Sequence, residues 1–294
     1  MSVGERDPHT GYMTTGHEWN GIKELNTPVP MAVRIFLAIT VVFALVYWVL
    51  MPAWPIGVSY TKGLLGIDQR TTVEAKLIAA QEARADWVEA IAEGGFEEIR
   101  ADENLMTIVR HSGSSLFGDN CAVCHGRNGE GGPGFPSLTS GSWLWGGEPE
   151  TVFETLRVGI NSSHPETRTS EMLAFGRDGI LDRSAIMDVI SYLQSLQEEP
   201  EPGLVVDSEA VARGEEVFAM NCAACHGADA KGDRNMGAPD LTDDAWIYGG
   251  DRTSLYWTIY GGRQGHMPHW EGRLSPVERK ILTLYILDLP EGTE

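Results

Sequence analysis

The chain has 294 residues, room for about two domains at roughly 150 residues each. Apolar residues make up 42% of it, enough for a buried core and too many for wholesale disorder. Lys and Arg number 22 against 42 Asp and Glu, a net charge of −20, which excludes the basic footprint of a nucleic-acid binder.

The charge is unevenly spread. Residues 1–76 carry six basic and six acidic side chains, so the other 16 basic and 36 acidic ones, and the whole excess, fall in residues 77–294. The front holds an uncharged stretch from Ile35 to Thr61, bordered by Arg34 and Lys62. Ile35 to Trp54 is 20 aliphatic and aromatic residues interrupted only by Thr40 and Pro52. As a helix rising about 1.5 Å per residue, such a run crosses a hydrocarbon core of roughly 30 Å. Tyr47, Trp48 and Trp54 gather at one end, as aromatics do at a membrane interface. A cleaved signal peptide has a shorter apolar region close to the N-terminus and a small-residue cleavage site. Here 34 residues come first, and the stretch predicts an uncleaved transmembrane helix over 35–55 behind an N-terminal segment of residues 1–34. Lys23 and Arg34 on one side, and Lys62 and Arg70 on the other, leave the orientation open.

Residues 56–103 read as a helical spacer. Leu77, Ile78, Ala85, Trp87, Val88 and Ile91 recur at near-helical intervals between Thr72 and Arg100, with a break at Gly94-Gly95. Beyond them lie two similar segments, 104–197 and 207–291, joined by an acidic, Pro-rich linker over 198–206.

All four cysteines sit in Cys121-Ala-Val-Cys124-His125 and Cys222-Ala-Ala-Cys225-His226. Cys-x-x-Cys-His is the attachment pattern of haem c. Two thiols three positions apart add to vinyl groups on one edge of the macrocycle, and the adjacent imidazole supplies a proximal nitrogen to the iron. A zinc site made from both pairs, or a thioredoxin-like dithiol, gives the following histidines no role. Two such motifs, using every cysteine, predict two covalent haem c groups.

The flanks repeat as well, at an offset of 101 residues at the motifs. Gly113-Ser-Ser-Leu-Phe117 matches Gly214-Glu-Glu-Val-Phe218, and Pro136-Ser-Leu-Thr139 matches Pro239-Asp-Leu-Thr242. Trp143-Leu-Trp145-Gly-Gly likewise matches Trp246-Ile-Tyr248-Gly-Gly. Each segment closes with an amphipathic helix, Arg183–Gln197 and Pro276–Leu289, the second with Ser275 as N-cap before Pro at the first helical position. Trp143, Trp145, Trp246 and Tyr248 read as propionate donors or as core aromatics, and Arg157 and Arg263 as candidate propionate counter-charges.

Each segment resembles class I cytochrome c, which implies an all-α fold: one N-terminal transmembrane helix followed by two tandem cytochrome c domains. In that family the distal iron ligand is a Met well downstream of the motif. The resemblance points to Met267 in Gly265-His-Met267-Pro268, 41 residues after His226, and to Met172, 47 residues after His125. Met236, His164, His266 and His269 compete for that role, whereas Met106 and Met187 read as core filling. Each Met could close its own domain, or the two could be exchanged between domains; the sequence names the ligands without the pairing.

Thr15-Gly-His-Glu-Trp-Asn-Gly-Ile-Lys-Glu-Leu-Asn-Thr-Pro-Val-Pro30, then the span, then two haem segments, resembles the dihaem subunit (subunit III) of cbb3-type cytochrome c oxidases along essentially the whole chain. The resemblance implies an electron-transfer subunit rather than the oxygen-reducing one. Its partners would be a haem-copper catalytic subunit that reduces oxygen to water and pumps protons, and a monohaem cytochrome c subunit. A soluble cytochrome c would donate the electrons. His17, Trp19, Pro28 and Pro30 then read as contacts at the cytoplasmic face. Haem c is attached on the periplasmic side in bacteria, which predicts a single-pass inner-membrane protein with its N-terminus cytoplasmic and its haem domains periplasmic. The alternatives are a free-standing membrane-anchored dihaem cytochrome shuttling electrons between respiratory complexes, and a dihaem peroxidase.

Overall fold

Up to Ala83 the chain forms one unit, and from Arg84 onward a second, larger one. The structure is a computed structural model and describes residues 4–197 and 207–290, so the expected linker at 198–206 lies outside the described residues.

The first unit opens with an antiparallel hairpin, β1 (Thr14–Trp19) and β2 (Ile22–Leu25). Its turn is Asn20-Gly21, both at positive φ, the pattern that matches the right-handed twist of the strands. Glu24 accepts a hydrogen bond from Thr15 and pairs with His17 across the hairpin. Helix α1 (Met31–Leu50) follows Pro30 directly, and none of its side chains is buried. The expected span of 35–55 is therefore shifted toward the N-terminus. Pro30 sets the start, and Pro52 disfavours helical backbone at Met51, which is extended at φ −110° and ψ 161°. A second small hairpin, β3 (Pro55–Ile56) and β4 (Ser59–Tyr60), precedes α2 (Gln69–Glu82). Asp68 caps α2 by accepting the N–H groups of Arg70 and Thr71.

In the second unit, α3 (Ala85–Glu93) and α4 (Phe96–Ala101) flank the anticipated Gly94-Gly95 break. There follow α5 (Glu103–Asn120), the one-turn α6 (Ala122–His125), α7 (Pro149–Val158) and α8 (Arg183–Ser195). The second repeat supplies α9 (Ser208–Asn221), the one-turn α10 (Ala223–His226), α11 (Arg252–Gly261) and α12 (Pro276–Leu287). Asp102, Asp182, Asp207 and Asp251 cap helix starts, and Ser275 caps α12 in a reciprocal box with Glu278. The described residues of this unit form isolated bridges and no strand, in keeping with the all-α expectation.

The helices pack across the repeats. α5 lies on α12, and α9 lies on α8. At the first crossing Gly113 faces Tyr285, where an added Cβ would come within 2.5 Å of the Tyr285 Cβ. At the second, the equivalent Gly214 faces Tyr192 and the Asp188 carbonyl, which would lie 2.1 Å from such a carbon. Only hydrogen fits at either place. One core joins Phe117, Cys121 and Leu156 to Trp270, Leu274, Leu282 and Ile286. The other joins Phe218, Leu255 and Ile259 to Phe175, Ile186, Val189, Ile190 and Leu193. Each core thus takes its first helix and Cys-x-x-Cys-His turn from one repeat and its closing helix from the other. Ile91 and Ile99 of α3 and α4 add a third cluster with Met106, Val109, Ile281 and Leu284.

Candidate functional site

Each Cys-x-x-Cys-His motif occupies the turn after a long helix. The backbone N–H of His125 bonds the Cys121 carbonyl at 3.0 Å, and that of His226 bonds the Cys222 carbonyl at 3.0 Å, so one helical turn brings each triad together. His125 Nδ1 donates to the Pro136 carbonyl at 3.0 Å, and His226 Nδ1 donates to the Pro239 carbonyl at 3.0 Å. A carbonyl can only accept, so the proton is on Nδ1 and the Nε2 lone pair is free for a metal. Burial pushes both imidazoles below the usual histidine range, against the opposing pull of the carbonyls, which keeps them neutral.

Burial also pushes the Cys121 and Cys222 thiols up to about 11. Thiols raised in this way are unlike those of a reactive dithiol, whose pKa is lowered. The four cysteines form no disulfide, and among the described residues no three His, Cys, Asp or Glu side chains converge on a metal position.

The distal candidates are brought to opposite repeats. Met267 lines one cavity with Cys121, His125, Leu156 and Ile160. Met172 packs in the same cluster as Phe218 and Cys222. The backbone holds both by equivalent bridges. Ile160 and Met267 exchange hydrogen bonds of 2.9 Å each way, and Met172 and Arg263 exchange bonds of 2.8 and 3.1 Å. Gly159 and Gly262, each at the end of the preceding helix, sit against the Met267 and Met172 carbonyls at 2.4 Å from where a Cβ would be.

None of the competing residues lines the cavity that holds His125 and Met267. His164 Nε2 meets Glu271 at 2.8 Å while its Nδ1 accepts from the Glu166 backbone. His269 lies tilted against His164 at 5.4 Å with its buried Nδ1 unpartnered, and Met236 and His266 are exposed. Met106 is buried in a core and Met187 packs against one, as their filling role anticipates.

The cavity around Cys121 and His125 is open in part to solvent. Trp143, Trp145, Leu138, Val152 and Ile286 give it an apolar lining. Trp145 also carries a buried indole N–H with no partner, beside Arg168, whose guanidinium lies 5.0 Å over the indole and whose buried Nε is likewise unpaired. Burial lowers the Arg168 pKa. The unsatisfied Trp145 N–H in the wall of this apolar cavity, with Arg168 against its ring, fits a carboxylate of a haem. Arg157 is held by Glu154, Glu166 and Glu271, and Arg263 stacks on Tyr248 at 4.2 Å while donating to Thr258. Arg168 is the donor that sequence reading missed, since a lone arginine carries no motif. The Pro136 and Pro239 carbonyls were signalled by the repeated Pro-x-Leu-Thr, whose purpose needs the fold to be seen.

Comparison with known proteins finds a cytochrome c domain over each of the two motifs. Residues 11–58 match the family model for the N-terminal domain of cytochrome oxidase-cbb3, FixP. Residues 111–197 match cytochrome c, and residues 209–286 match cytochrome c oxidase, cbb3-type, subunit III. Cytochrome c domains bind haem c. The chain is 44% identical to a cbb3-type cytochrome c oxidase subunit FixP of Bradyrhizobium sp. (strain ORS 278), over 98% of both chains. It is 41% identical to the subunit CcoP of Azospirillum brasilense, over 99% of this chain and 100% of that one. With the subunit CcoP of Cereibacter sphaeroides it shares 39% identity over 95% of each.

Proposed function

The chain belongs to the FixP/CcoP family, subunit III of cbb3-type cytochrome c oxidases, and on that premise we propose that it is the dihaem electron relay of such an oxidase. Two haem c groups are held by Cys121, Cys124 and His125, and by Cys222, Cys225 and His226. Met267 would be the distal ligand of the first and Met172 of the second, exchanged between the repeats. The observation that carries this reading is the meeting of Met267 with Cys121 and His125 in one apolar cavity. A haem so ligated supplies a one-electron ferric–ferrous couple.

The protein's part is to hold that couple still and dry. The Pro136 and Pro239 carbonyls fix the tautomer of each proximal histidine, and the bridges at Ile160 and Arg263 fix the height of each Met backbone. With His125 and Met267 on one haem iron and His226 and Met172 on the other, such a shell would limit reorganisation and leave no open site for oxygen or peroxide. That favours relay over a peroxidase. A soluble cytochrome c delivers electrons to the acidic haem unit, and they leave toward the haem-copper catalytic subunit, with the monohaem cytochrome subunit as a further partner. Residues 77–294 carry the whole net charge of −20, which steers a basic donor and makes its rate fall as salt rises. Haem c attachment on the periplasmic side supports a periplasmic haem unit and a cytoplasmic N-terminus.

Purification in mild detergent tests the assignment. Co-elution with copper, b-type haem and two covalent haems per chain is the expected result. A dihaem chain that elutes alone, free of copper, would favour the free-standing shuttle, and one haem per chain would refute the dihaem relay.

A further inference from the structure

The segment that follows α1 has a composition unlike the rest of the chain. Between Pro52 and Ile67 there is one charge, Lys62, and no carboxylate, in a protein whose net charge is −20. Trp54, Ile56, Val58, Tyr60, Leu64 and Leu65 are all exposed, Leu64 to 79% and Val58 entirely.

This segment is folded. Pro55 pairs with Tyr60 and Ile56 with Ser59, around a two-residue Gly57-Val58 loop. Thr61 N–H donates to the Trp54 carbonyl at 2.8 Å, and Trp54 N–H to the Thr61 hydroxyl at 3.0 Å. Trp54 meets Trp48 of α1 edge-on at 4.9 Å, which ties the hairpin to the last turn of that helix. Leu64 N–H donates to the Val49 carbonyl at 2.9 Å, and Leu65 N–H to the Leu50 carbonyl at 3.1 Å. The chain therefore doubles back, and Leu64 and Leu65 lie at the level of the helix terminus.

The last carbonyls of a helix have no partner within it, and in a medium without water each unsatisfied group costs several kcal/mol. Here two of them are satisfied by the returning chain. A 20-residue helix is already as long as the hydrocarbon core, about 30 Å at 1.5 Å per residue, so its end stands at the hydrocarbon boundary. A two-stranded hairpin with open edges does not belong deeper than that.

We propose that residues 54–67 form a collar embedded in the headgroup–acyl boundary of the bilayer, with Trp54, Ile56, Val58, Leu64 and Leu65 in the acyl region and Lys62 reaching the lipid phosphates. Apolar side chains occupy both faces of the hairpin. A protein partner covers one face and leaves the other in water, whereas an interface that surrounds the hairpin accepts both.

The intact oxidase complex in liposomes containing anionic lipid tests this, with a nitroxide on Val58→Cys and, separately, on Leu64→Cys. The native cysteines of this chain are thioethers on the proposed haem reading, so in unsubstituted complex this chain should take no label; labelling of this chain would fault that reading and not the collar. The collar predicts that both labels collide more with oxygen, which partitions into acyl chains, than with a water-soluble nickel chelate, and that the ratio reverses for a label on Glu216→Cys. Labels that collide freely with the chelate, or are shielded from both reagents by a neighbouring subunit, would overturn it.

Discussion

The two methionines are held by single residues whose roles have clear physical costs. Gly159 sits at φ 69°, ψ −173° and Gly262 at φ 70°, ψ 174°, backbone that only glycine adopts without strain. Gly159→Ala should cost at least about 1–3 kcal/mol from that strain, before the Met267 segment is pushed aside. Denaturant unfolding of the full chain in detergent measures this, with Gly118→Ala, which meets open space inside α5, expected to stabilise by up to about 1 kcal/mol. At this scale the sequence was most legible where covalent chemistry dictates spacing. Cys-x-x-Cys-His cannot vary and still reach two vinyl groups, so both motifs stood out. Arg157 looked like a counter-charge until three carboxylates were found around it, and Arg168 was invisible because its partner Trp145 is distant in sequence.

The helices were legible from their caps and periodicity, to within a few residues at their ends. Ser275 before Pro276 marked α12 correctly, whereas the span was placed four residues late because Arg34 was read as its border and not as part of the first turn. The small hairpins were not foreseen, although Asn20-Gly21 is a strong turn signal; their strands are too short to show alternation. The caps also set an acid limit. Asp182 is held below the usual carboxylate range mainly by the Ala185 N–H, and Asp251 mainly by the Ser254 hydroxyl, then by the Ser254 and Thr253 N–H groups. A carboxylate lowered in the folded state contributes stability fully above its unfolded pKa, about 3.9, and loses it as pH falls through the lower folded value. Their contribution to the denaturation midpoint should therefore be flat from neutrality to about pH 5 and decline below about pH 4, and a wild-type minus Asp182→Asn difference followed against pH isolates it.

For the molecule as a whole, the repeats of sequence are not the units of packing. Two copies of one motif with one downstream Met each are compatible with either pairing, so composition and spacing could not choose. The helix crossings support the exchanged pairing proposed above: Gly113 under Tyr285 and Gly214 under Tyr192 each join the first helix of one repeat to the last of the other. Phe117 against Tyr285 at 5.6 Å and Phe218 against Tyr192 at 5.3 Å repeat the arrangement. A protease site placed within residues 198–206 should give two haem-bearing fragments that stay together on gel filtration without denaturant, because each core contains both. Fragments that separate would mean the repeats are independent.

The most direct test is a density map of the intact oxidase fine enough to place each axial sulfur. The exchanged arrangement predicts Met267 Sδ bonded to the iron that His125 holds, and Met172 Sδ bonded to the iron that His226 holds. Met172 on the His125 iron, or a histidine in either distal position, would contradict it.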